Sequence, residues 1–157
     1  TKKYPKLTLD IIGDGPLKKD LIKLTHNLKL NDKVNFLGRI SQELVIKNMR
    51  TWKIFILPSR WEAFGLVLIE SNALGVPVIT TKVEAIPEVI INNFNGLLVK
   101  SEDFKELSVQ IDNLLSSKEK SKSLIKNGLI NVKEKFSSQK LILKTEKLYT
   151  EILNKNE

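Results

Sequence analysis

The sequence has no cysteine, a single histidine, His26, and no apolar run near the roughly 20 residues of a membrane-spanning helix. The missing cysteines exclude disulfides, thiolate metal sites and a cysteine nucleophile, and they suit a cytoplasmic location. One histidine without carboxylates clustered at ligand spacing gives no reason to expect a dedicated metal site. His26 sits in an amphipathic stretch and reads as a surface or helix-end residue rather than a catalyst. Arginine is scarce as well, with only Arg39, Arg50 and Arg60 among the basic side chains. Base readout and bidentate phosphate clamps favour arginine, so the formal charge of +8 reads as a solvated lysine surface, with no nucleic-acid partner expected. Anionic lipid headgroups and phosphate-bearing small molecules stay compatible, which keeps peripheral contact with the inner face of a membrane as an expectation.

What is present describes a globular domain. The chain has 157 residues, 41% of them hydrophobic and 28% charged, enough to bury a core. The opening "TKKYPKLTLDIIG" has too short an apolar stretch for a signal peptide. The chain starts without methionine, so it reads as one domain over residues 1–157 excised from a longer protein. Charge is uneven: residues 1–60 carry a net +8 and residues 61–99 a net −3.

Short apolar runs ended by glycine or proline alternate with segments of helical periodicity. "KLTLDIIG", "VNFLG", "KIFILPS", "GVPVIT" and "NGLLV" read as strands. Pro16 suits the first turn of a helix whose apolar positions are Leu17, Leu21, Leu24 and Leu28, and Ser41 suits the N-cap of the next. A third helix spans about Gly65 to Leu74, and from Asp103 onward the pattern is only helical, with "NKNE" as a fraying end. This order predicts an α/β fold, a Rossmann-like doubly wound parallel sheet flanked by helices and followed by C-terminal helices.

Ligands of such sheets bind beyond the carboxyl ends of the strands. The positions to watch are therefore Gly13-Asp14-Gly15, Gly38-Arg39, Ser59 to Gly65, and Thr80 to Glu84. "PSRWEAFGLVLIE" is the richest, because a helix starting near Gly65 aims the amides of Phe64, Gly65 and Leu66 outward as an anion site. Glu62 and Glu70 flank that site. Carboxylates would repel a phosphate they touched, but they suit hydroxyls on either side of it, as in a nucleotide-sugar. The alternative is that Glu62 caps the helix and Glu70 is a plain helix residue. Spacing alone does not choose between these. Trp52 and Trp61 read as packing residues, Trp61 also as a possible wall beside Glu62. Lys82 and Arg60 lie near the rim, Glu88 reads as a turn residue, and Ser59 has no base beside it in sequence.

"LPSRWEAFGLVLIESNALGVPVITT" resembles the donor-binding signature of retaining glycosyltransferases of the GT-B fold, glycosyltransferase family 4, the "group 1" glycosyl transferases. Their pattern places two glutamates with seven residues between them, matched by Glu62 and Glu70. "LTLDIIGDGP", "VNFLGRIS", "PEVIINNFNGLLV" and "FSSQKLILKTEKLYTEIL" resemble the family in order and spacing, so the likeness covers nearly the whole chain. The resemblance implies half of a GT-B enzyme that binds a nucleotide-sugar donor, transfers a hexose with retention, and needs no metal or cofactor. It implies that Glu70 accepts from the ribose hydroxyls and that Glu62 meets the transferred sugar, where its charge stabilises a developing oxocarbenium ion. Ala63, Phe64, Gly65 and Leu66 would hold the diphosphate and sugar, and Gly38, Arg39 and Ile40 would lie by the base. Gly13, Asp14 and Gly15 would border the same cleft. The family's Gly-Arg…Lys-Gly segment, whose cations neutralise the leaving diphosphate, and its N-terminal acceptor domain would both precede Thr1, so this fragment alone should be inactive. Ser71-Asn72 and Val83-Glu84-Ala85 depart from the usual pattern near the sugar pocket. A sugar-nucleotide epimerase or glycogen-type synthase of the same fold, and a non-catalytic nucleotide-binding module, are the alternatives.

The reading of the lysine surface is open to test by fluorescence anisotropy. Random-sequence oligonucleotides should bind negligibly at physiological salt, whereas tight binding that falls steeply with salt would revive a nucleic-acid partner.

Overall fold

β-Branched and leucine-rich runs of three to five residues form the strands, and leucine-periodic segments between them form the helices. The computed structural model describes residues 3–154. In chain order these are β1 (Leu9–Ile12), α1 (Lys18–Asn27), β2 (Val34–Gly38), α2 (Gln42–Met49), β3 (Phe55–Leu57) and α3 (Leu66–Ala73). There follow β4 (Val78–Thr81), α4 (Ile86–Val89), β5 (Leu97–Val99), α5 (Phe104–Ser116), α6 (Lys118–Lys135) and α7 (Ser138–Asn154). Every ladder is parallel, so the α/β class expected from the sequence is the one observed. The strands pair as two sheets, β1-β2 and β3-β4-β5, and the chain divides into two compact units, Thr1–Lys47 and Asn48–Glu157.

In the first unit Leu9, Asp10 and Ile11 pair with Val34, Asn35 and Phe36, and the register then shifts so that Ile12 meets Gly38. The Asn35 side-chain amide donates to the Asp10 carboxylate at 2.8 Å across the ladder. Pro16 does not open α1, as its sequence position suggested. The Lys18 amide donates to the Gly15 carbonyl at 3.1 Å, which makes Pro16 the second residue of a tight turn, where its fixed φ is favoured. His26 falls in the last turn of α1, the helix-end position expected for it. Ser41 precedes α2, and its hydroxyl accepts from the Leu44 amide at 3.4 Å.

In the second unit β4 is the central strand and all four of its residues are buried. Successive side chains of a strand point to opposite faces. Val78 accordingly packs with Leu68 of α3 and Ile86 and Val89 of α4, while Ile79 packs with Leu97, Leu114 of α5 and Leu124 of α6. The buried hydroxyls of β4 are satisfied at the end of β3 and in the loop that follows it: Thr80 donates to the Leu57 carbonyl at 2.8 Å and Thr81 to the Ser59 carbonyl at 2.5 Å. Buried Asn95 fixes the turn before β5, donating to the Val89 carbonyl at 3.0 Å and accepting from the Ile91 amide at 2.7 Å. Asp103 and Ser117 cap α5 and α6 through the Glu106 and Lys120 amides at 2.9 and 3.2 Å. Asn154, the first residue of "NKNE", is still helical, and the other three lie outside the described residues.

Helices α3 and α6 meet at Gly128. A Cβ there would stand 2.7 Å from Oδ1 and 2.9 Å from Cγ of buried Asn72, so glycine is what lets the two helices approach. Gly128→Val should lower stability to urea by about 1–3 kcal/mol through overpacking, despite the gain in helix propensity over glycine. An unchanged urea midpoint would show that the contact does not constrain α3.

Candidate functional site

The chain leaves β3 at Leu57 and turns into α3 at Gly65, which adopts φ 76° and ψ 48°. Non-glycine residues are disfavoured in that left-handed region, and a Cβ would also lie 2.7 Å from Cδ1 of Leu68, a fully buried core residue. Both constraints select glycine. Glu62 reaches forward so that its carboxylate accepts from the Gly65 amide at 3.2 Å. This corrects the expectation of three free amides at the junction. The upstream carboxylate already occupies one of them, because the positive end of the helix dipole attracts any nearby anion. The amides of Leu66 and Val67, the first two helical residues, have no acceptor within the helix by geometry.

Glu70 lies on α3 four residues after Leu66, about 6 Å along the axis at the usual rise, and is half-buried. Ala63, Phe64 and Leu66 are exposed around the turn. The Phe64 ring meets Phe136 edge-on, with centroids 6.2 Å apart, which ties the loop to the residue that ends α6. Trp52 packs as expected, stacked on Phe55 at 6.2 Å. Trp61 does not pack: at 70% exposure it stands out from the loop. Arg60 pairs with Glu102 at 2.7 Å. The Lys82 amide donates to the Val99 carbonyl at 2.8 Å, Glu88 lies in the first turn of α4, and the Ser59 carbonyl is held by Thr81. Asn72, two residues beyond Glu70, has a buried side-chain amide nitrogen with no hydrogen-bond partner among the described residues.

In the first unit the segments that follow β1 and β2 come together. The Gly13 amide donates to the Gly38 carbonyl at 2.8 Å. Asp14 accepts from the Lys18 ammonium at 2.8 Å and from the Gly15 amide at 2.9 Å. The Lys18 hydrogen bond chiefly, with help from the Gly15 amide and the charge of Arg39, holds the Asp14 carboxyl below the ordinary aspartate range. Lys18 thus joins Asp14 and Arg39 in one charged cluster. Sequence reading passed over Lys18, although the four-residue spacing from Asp14 across the turn was a usable signal. Arg39 is exposed and Ile40 half-buried.

The family model described as glycosyl transferases group 1 matches residues 1–129, so the chain belongs to that family. Among curated relatives, N-acetyl-alpha-D-glucosaminyl L-malate synthase of Bacillus anthracis is 35% identical over 143 residues, covering 91% of this chain and 37% of its own length. The chain therefore spans well under half of that relative. The crystal structure of the C-terminal domain of a glycosyl transferase group 1 family protein, LpcC of Francisella tularensis, superposes with a TM-score of 0.80 at 30% identity, covering 87% of this chain and 73% of that one. The crystal structure of Anabaena HepE in complex with UDP gives a TM-score of 0.85 at 22% identity, covering 94% of this chain and 42% of that one, a likeness of fold.

Two measurements check the site's geometry. By carbon-detected NMR, Asp14 should titrate below a typical aspartate, and Lys18→Met should move its midpoint upward; an ordinary midpoint in the parent chain contradicts the cluster. Gly65→Ala should cost about 1–2 kcal/mol or more of stability from the left-handed backbone alone, while Gly15→Ala, where a Cβ meets open space, should be near neutral.

Proposed function

We propose that the chain is the donor-binding half of a retaining GT-B glycosyltransferase of family 4, which passes a hexose from a nucleotide-sugar to an acceptor held mainly by another part of the protein. The observation that carries this reading is the β3–α3 junction, where a left-handed glycine presents helix amides beyond the carboxyl end of a parallel strand and a carboxylate sits on one of them. Glu62 holds on the Gly65 amide the position that an anion would take. A donor diphosphate replaces it on the Gly65 amide and draws on the first-turn amides beside Ala63, Phe64 and Leu66. Released, the Glu62 carboxylate is placed to accept from sugar hydroxyls and to stabilise positive charge at the anomeric carbon. Glu70 accepts from the ribose. Gly38, Arg39 and Ile40 serve the base, and Gly13, Asp14 and Gly15 stand beside them.

Membership of the group 1 family supports the reading, as do the LpcC C-terminal domain and the fold shared with a UDP complex. The proposal includes no metal or other cofactor: the leaving diphosphate is neutralised by cations outside this chain, so the fragment alone does not turn over. No helix among the described residues is long and apolar enough to cross a membrane. The proposed setting is the cytoplasm, with contact to an anionic membrane surface through the lysines. The Glu62–Gly65 bond also favours a second reading, in which Glu62 is only a helix cap and the domain binds nucleotide without catalysis.

Calorimetric titration with UDP, GDP and ADP and their hexose conjugates tests the assignment. One nucleotide should bind, and Glu70→Ala should weaken it about tenfold or more, the scale of a charge-assisted hydrogen bond. Equal affinity in the variant contradicts the ribose role. Glu62→Gln should reduce the extra affinity of the sugar conjugate over the bare nucleotide; an unchanged difference favours the cap reading.

A further inference from the structure

A concavity opens in the same unit, beyond the carboxyl ends of β3, β4 and β5. It encloses about 390 Å³, within the range of small-ligand sites, and is lined by Pro58, Arg60, Thr81, Glu102, Phe104 and Leu107 among others. Neither Glu62 nor Gly65 nor Glu70 lines it. Its chemistry also differs from that of the β3–α3 junction.

Phe104, the first residue of α5, presents its ring to solvent at 74% exposure, where it contributes little to the core. Arg60 and Glu102 face each other across the mouth at 2.7 Å, with side chains 82% and 65% exposed. An ion pair that open to water adds little stability, so both groups can exchange this contact for a ligand's hydroxyls at small cost. Glu102 holds φ 64°, an uncommon conformation for a residue other than glycine. The rim behind it is tied down. Asp103 accepts from the Glu106 amide at 2.9 Å, and Glu106 accepts from the Lys100 amide at 2.8 Å. Charge around the groove is balanced, Arg60 and Lys100 against Glu102 and Asp103, which gives a polyanion such as a diphosphate no preference for it.

A flat exposed aromatic ring, an apolar floor of Pro58, Val99 and Leu107, and paired guanidinium and carboxylate groups at the edge match one ligand chemistry. A pyranose offers a C–H face to stack on the ring, and hydroxyls that accept from an arginine and donate to a carboxylate. We propose that this groove binds a sugar ring of the acceptor glycan, stacked on Phe104 with its hydroxyls shared between Arg60 and Glu102. The identification of that sugar as acceptor rests on the glycosyltransferase reading; the carbohydrate specificity rests on the groove alone.

The test uses the isotope-labelled chain in amide-resolved NMR titrations with methyl α-glucopyranoside, methyl α-mannopyranoside and methyl N-acetyl-β-glucosaminide, with UDP in a parallel arm. At least one glycoside should shift the amides of Arg60 and of residues 100–107, with a Kd on the order of 1 mM, typical of a single ring in an open site. Phe104→Ala and Arg60→Ala, both at exposed positions, should keep the spectrum elsewhere and weaken the glycoside about tenfold. No shift in that segment with any glycoside, shifts centred on Glu62 and Gly65 instead, or shifts undiminished in Phe104→Ala would overturn the proposal. Glycoside binding with no response to UDP, or to GDP and ADP added in the same parallel arm, would leave the groove standing while removing the donor-binding reading.

Discussion

The backbone at Gly65 is the constraint on which the site depends. Its left-handed conformation lets the chain pass from β3 into α3 within a short loop and leaves the first amides of the helix facing outward. Leu68 closes off the alternative, since it fills the core directly beneath and admits no Cβ at Gly65. The amide so exposed carries partial positive charge, and Glu62 answers it. A half-buried carboxylate on a helix N-terminus is stabilising, yet it is held by one loop hydrogen bond and is replaceable by a ligand with more acceptor oxygens.

The rigidity behind that junction comes from β4 and α6. Val78 and Ile79 send side chains to opposite faces, so helices pack on both sides of the strand and the carboxyl ends of β3 and β5 are held in register with it. The Thr81 hydroxyl reaches the Ser59 carbonyl, anchoring the first part of the loop that carries Arg60 and Glu62. At the other end of α3, the Gly128 approach to Asn72 seats the helix against α6. The loop that carries Arg60 and Glu62 is therefore mounted on elements packed against one another. The same anchoring forms the wall of the groove near Phe104, since Thr81 lines it as well.

Much of this was legible in the sequence. Gly65 followed by a long apolar stretch marks a helix start, and the observed limits of α3 agree with the reading to within a residue, because a left-handed glycine and a buried strand leave little latitude. Pro16 was harder. Proline is equally at home in the first turn of a helix and at the second position of a tight turn, and only the Lys18–Gly15 hydrogen bond decides. Glu62 was ambiguous for the same kind of reason: the spacing that lets it reach a sugar also lets it reach the Gly65 amide. Trp61 looked like core because its side chain is large and apolar, but burial depends on neighbours that a linear sequence does not display. The leucine and isoleucine periodicity of α7 correctly signals a helix, yet none of its described residues is buried. The division of five strands into two sheets depends on pairings between segments far apart in sequence, which local patterns do not encode.

The central claim is that Glu62 holds the place of a donor phosphate on the Gly65 amide. A crystal structure of this chain grown with UDP tests it most directly. The account requires a diphosphate oxygen within hydrogen-bonding distance of the Gly65 amide, the Glu62 carboxylate displaced from it, and the ribose hydroxyls against Glu70. UDP bound elsewhere on the chain, with the Glu62–Gly65 hydrogen bond intact, would contradict it.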